Sequence, residues 1–79
     1  MKKITKKAIK DALKNNIYLC TAKLVEESPK ELKYAYRSMI IYFNIIGIDN
    51  QYVAFEVDGS CNYTIARQLL DIMDMLEGR

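Results

Sequence analysis

The chain has 79 residues, a net charge of +2, 51% hydrophobic and 28% charged residues, which describes one small domain with enough apolar matter for a single core. It has two cysteines and no histidine, which removes Ser-His-Asp and Cys-His catalysis and most zinc sites. The longest apolar run, Met39 to Ile48, falls well short of the roughly 18 to 20 residues a bilayer span needs, and it contains Asn44 and Gly47.

Met1-Lys2-Lys3 is followed by further lysines and Asp11 rather than an apolar stretch, so a signal peptide is not expected. Cytoplasmic localisation and reduced Cys20 and Cys61 are expected accordingly. The charge is unevenly spread: six lysines precede Asn15 against Asp11 alone, whereas Glu56 to Glu77 carries five acids against Arg67.

Residues 5–15 read as a helix. Ile4, Ala8 and Ala12, with Ile9 and Leu13, share one face; Thr5 is placed to cap it, and Asn15-Asn16 to end it. Residues 17–26 read as a first strand, from their β-branched content and from the need for a neighbour to the hairpin that follows. Ser28-Pro29-Lys30-Glu31 has the form of a capping box with proline at the first helical position, and it predicts a helical turn over 29–34.

A strong β-hairpin comes next, over 38–57. Odd positions Met39, Ile41, Phe43, Ile45, Val53, Phe55 and Val57 are all apolar, while even positions Ile40, Tyr42, Asn44, Tyr52, Ala54 and Glu56 are mixed. A single helix from Pro29 to Ile46 competes, since Leu32, Met39 and Ile46 with Tyr36 and Phe43 trace a heptad-like stripe. The β-formers at 40–43 and 45–46, and the lack of another partner for 51–57, favour a strand beginning near Tyr36. Residues 48–51 make the turn beside Gly47. The last helix starts at a cap on Ser60 or Asn62, buries Ile65, Leu69, Ile72, Met73 and Leu76, and stops at Gly78.

The expected architecture is α+β: a three-stranded antiparallel meander with an N-terminal and a C-terminal helix, α-β-β-β-α, packed on one face. Two helices that each bury one stripe leave the other face of the sheet open. This element order resembles that of double-stranded RNA-binding domains. Those domains carry a lysine cluster into their final helix, whereas Asn62-Tyr63-Thr64-Ile65-Ala66-Arg67 offers one arginine before the helix turns acidic, so the chain is not assigned to them.

No Gly-rich phosphate loop is present, and Asp71 and Asp74 read as solvated helix residues. Neither a cofactor nor a metal is expected, nor catalysis, nor a small-molecule substrate. The expected function is a small binding protein that meets a protein partner, or a second copy of itself, through a tyrosine-bearing sheet face. Tyr36, Ile40, Tyr42 and Tyr52 form the proposed site, with Lys23 and Arg37 at its rim. Size and an A/T-rich codon signature (abundant Lys, Ile and Asn) suggest a phage or mobile-element inhibitor of a host system. The alternative is nucleic-acid binding through Lys3, Lys6, Lys7, Lys10 and Lys14 of the first helix. Membrane binding is not expected, because the helix has no aromatic anchor.

Overall fold

A computed structural model describes residues 3–78. Its elements are α1 (Lys6–Lys14), a short 3-10 turn (Leu19–Thr21), β1 (Lys23–Ser28), β2 (Glu31–Tyr36), β3 (Met39–Ile46), β4 (Tyr52–Asp58) and α2 (Tyr63–Glu77). The sheet is an antiparallel meander in the order β1-β2-β3-β4. The α+β class and the terminal helices agree with the sequence reading, but the sheet has four strands, not three.

Both helices form for the reasons their sequences suggest. Thr5 Oγ1 accepts the Ala8 amide at 3.1 Å, satisfying one of the donors a helix start leaves unpaired. Asn62 does the same for α2, accepting the Ile65 amide at 2.9 Å. Gly78, at φ 80°, takes the left-handed position that ends α2. Asn15 ends α1 at φ −89°, so the stop there does not use the left-handed region. It comes instead from Asn16, whose Oδ1 accepts the amides of Tyr18 and Leu19, both at 2.9 Å. This Asx-type turn leads the chain into the 3-10 segment Leu19–Thr21 and delays the first strand to Lys23.

The missing strand lies where the capping box suggested a helix. Pro29 and Lys30 are the two-residue turn between β1 and β2, with Ser28 opposite Glu31. Proline's fixed φ suits the second residue of a turn as well as the first of a helix. Residues 31–36 then pair on both sides, with β1 and with β3, and this double pairing outweighs a local cap.

A second tight turn, Arg37-Ser38, joins Tyr36 to Met39, with Arg37 at φ 54°. Its length sets the facing of every β2 side chain. Leu32 stands opposite Phe43, Tyr34 opposite Ile41 and Tyr36 opposite Met39, so even residues of β2 share a face with odd residues of β3.

That shared face is the covered one. Ile9 and Leu13 of α1, and Ile65, Leu69, Ile72 and Met73 of α2, join Leu32, Ile41, Phe43 and Ile45 in one core. Phe43 is fully buried at its centre and meets the Tyr34 ring edge-to-face, 5.9 Å between centroids. α1 is further held to edge strand β1 by Glu27, which bonds Lys6 Nζ at 2.7 Å and Lys10 Nζ at 3.1 Å.

The chain leaves β4 through Gly59, at φ 109°, where a Cβ would stand 2.5 Å from the Ser38 carbonyl oxygen. Gly59→Ala is therefore expected to destabilise the fold by roughly 1–3 kcal/mol, from strain and backbone displacement together. Gly78→Ala, also at positive φ but with open space around it, should cost about 1 kcal/mol. Denaturant melts of the two variants check the difference, and equal losses would contradict the close approach at Gly59.

Candidate functional site

Opposite the helices, the sheet presents three cross-strand rows. Lys23, Ala35, Ile40 and Asp58 form the first, and Glu26, Lys33, Tyr42 and Glu56 the second. Ser28, Glu31, Asn44 and Ala54 form the third, beyond which Ile46 pairs with Tyr52. Strand alternation places them together: they are the residues left over once the apolar set has turned inward.

The middle row is an electrostatic ladder. Lys33 Nζ lies 3.5 Å from Glu26 Oε1 and 5.6 Å from the centre of the Tyr42 ring, so the ammonium is shared between a carboxylate and a π face. On the other side of Tyr42 stands Glu56. Four carboxylates (Glu26, Glu31, Glu56, Asp58) and two lysines (Lys23, Lys33) occupy these rows, so the face is net acidic. A shallow recess of about 340 Å³ lies among Glu31, Tyr42, Asn44, Glu56, Val57 and Asp58.

The anticipated site residues separate. Ile40 and Tyr42 are half-buried and Tyr52 exposed, and all three lie on the open side as expected. Lys23 lies at its β1 margin. Tyr36 does not belong there. It is 5% exposed and packed in the core, because the Arg37-Ser38 turn places it beside Met39 on the covered face. Arg37 stays at that turn, its guanidinium 5.5 Å from the Tyr36 ring centre.

Two residues absent from the expected site extend its apolar part. Ile46 is 46% exposed beside Tyr52, and Ile48 is wholly exposed in the β3–β4 loop. Their signal was the continuation of the even-numbered stripe past Asn44. The Tyr52 ring itself lies against Gly47, where a Cβ would come 3.0 Å from Cδ2.

The lysines of α1 do not make one free cationic stripe. Lys6 and Lys10 turn to Glu27, and Lys6 also donates to the Ser28 carbonyl at 3.0 Å. Lys7 pairs with Asp11 at 2.8 Å, an ion pair that raises its pKa. Lys3 and Lys14 are exposed. Cys20 and Cys61 are exposed and unbridged, and among the described residues no three His, Cys, Asp or Glu converge as a metal site.

Hydrogen bonds from Lys6 and Lys10 hold the Glu27 carboxyl below its usual range. The Tyr34 phenol is pushed up by burial and by the Glu27 charge. Because Glu27's folded pKa is the lower one, its contribution to stability is present above the unfolded pKa and lost as pH falls through the folded value. Thermal melts between about pH 5 and pH 2 should show a steeper acid loss for the wild type than for Glu27→Gln. Parallel curves would contradict the role given to this carboxylate.

Comparison of the chain with protein families, with curated proteins and with solved structures finds no match in any of the three.

Proposed function

We propose that this protein works by binding, and that its contact surface is the open sheet face centred on Tyr42, Ile40 and Tyr52 and extended by Ile46 and Ile48. The observation that carries the reading is the sidedness of the sheet. All helical cover lies on one side, and the other keeps tyrosine and isoleucine among carboxylates. Tyrosine offers large contact area at low entropic cost, and carboxylates around it favour a partner with basic residues.

A phosphate backbone suits this surface poorly, since Glu31, Glu56 and Asp58 ring the recess beside Tyr42. Nucleic-acid binding through α1 finds less support than its lysine content suggests, because Lys6 and Lys10 share Glu27 and Lys7 pairs with Asp11. A fluorescent duplex of about 20 base pairs is expected to show no micromolar binding even near 50 mM salt. Tight, salt-sensitive binding would reverse the choice between the two readings.

The site itself is tested by comparative capture. Tyr42→Ala and Tyr52→Ala should each keep the melting behaviour of a folded chain while weakening the complex by about 2 kcal/mol or more. Glu56→Lys, on the same face, should weaken it as well. Proteins retained equally by the wild type and by the Tyr42→Ala/Tyr52→Ala double variant would place the contact elsewhere.

A further inference from the structure

The two edges of the sheet are built differently. β1 carries a bulge between Leu24 and Glu26, three charged residues (Lys23, Glu26, Glu27) and a proline in the adjoining turn. Such features blunt a strand edge against pairing with another chain. β4 lacks the bulge and the proline: its seven residues, Tyr-Val-Ala-Phe-Glu-Val-Asp, run in unbroken register, with Glu56 and Asp58 as their charges and no lysine.

The direction of its free hydrogen-bonding groups follows from two observed bonds. The Ile45 amide donates to the Lys30 carbonyl, away from β4. The Val53 amide, opposite Ile45, points away from β3 and donates to Glu77 Oε2 at 2.9 Å. In an antiparallel ladder this alternation repeats every second residue, so Phe55 and Val57 also aim their N–H and C=O groups outward. Among the described residues, only the Val53 amide of the three carries a side-chain cap.

We infer that the β4 edge is a pairing site for a second copy of this chain, with Glu77 as the group that competes for it. The sequence of the strand is self-complementary about Phe55. In an antiparallel pair centred there, Phe55 meets Phe55, and Val53 of each copy meets Val57 of the other, all on the helix-covered side. On the open side, Ala54 meets Glu56, and Tyr52 meets Asp58, a phenol donor opposite a carboxylate.

Other registers are worse. Centring on Glu56 sets Glu56 against itself, and centring on Val57 sets it against Asp58, like charges directly opposed. Centring on Ala54 leaves Val57 and Asp58 beyond the ladder. The favoured pair makes one continuous sheet with all four helices on the same side and the two open faces side by side. Val53 would then give its amide to a carbonyl of the other copy, so the Glu77 carboxylate must leave it first.

Light scattering of the full chain over a dilution series measures the self-association. Ala54 is exposed, so its replacements leave the monomer's core alone. Ala54→Lys faces Glu56 of the other copy twice in the symmetric pair and should tighten the dimer about tenfold, while Ala54→Glu should weaken it about tenfold. Glu77→Ala uncaps Val53 and should shift the chain toward dimer. Thermal melts establish that each variant is folded.

A wild type that is monomeric, but dimerises as Glu77→Ala with this response to charge at 54, supports both the edge and its gate. Two outcomes overturn the proposal: monomers throughout for wild type and Glu77→Ala, which would leave the edge to a foreign strand or to none, or a dimer indifferent to charge at position 54.

Discussion

The apolar seal between the helices and one side of the sheet is the constraint from which the remaining features follow. Phe43, Ile41 and Leu32 are completely buried there, beneath Ile9 and Leu69. Truncating a buried phenylalanine costs about 3–5 kcal/mol, whereas a cross-strand pair on the outer face contributes roughly 0.2–1 kcal/mol. A one-residue slip of β3 would exchange its two faces and lose several burials at once. Facing is therefore determined by the covered side, and the outer residues inherit positions that stability constrains only weakly. Tyrosine, isoleucine and carboxylates on such positions are what gives the open face its functional interest.

Charge is sorted along the same division. Helix lysines Lys6 and Lys10 converge on Glu27 at the edge strand, which ties α1 down and neutralises part of the basic N-terminal segment. The carboxylates of β2 and β4 gather instead around Tyr42. A modest net charge of +2 thus conceals a basic helix whose cations are largely engaged and a sheet face that is acidic. Neither the sign of the total nor the lysine count identifies the surface proposed for a partner.

Much of the fold was legible because its strongest patterns are local. The α2 stripe Ile65, Leu69, Ile72, Met73 and Leu76 is buried as its spacing implies, and the alternation over 39–57 produced β3 and β4 with the correct side inward. Ser28-Pro29-Lys30-Glu31 misled because a capping box and a proline-led hairpin turn draw on the same residues. Only pairing with strands on either side, information no four-residue window holds, decides between them. The missed strand carried a second error with it. Without the Arg37-Ser38 turn, Tyr36 counts as an even residue of one long strand and faces out; with it, the parity changes and Tyr36 is buried beside Met39. Tyr42, Ile40 and Tyr52 escaped this error because they lie beyond the turn.

The sidedness of the sheet is the central claim, and solvent paramagnetic relaxation measured by NMR on the dilute monomer tests it most directly. A soluble gadolinium probe should relax the Tyr42 and Tyr52 rings and the Ala54 methyl strongly, while leaving Tyr34, Tyr36, Ile41 and Phe43 nearly untouched. Tyr36 relaxed as fast as Tyr52, or Tyr42 as protected as Phe43, would contradict the division into a sealed side and an open one.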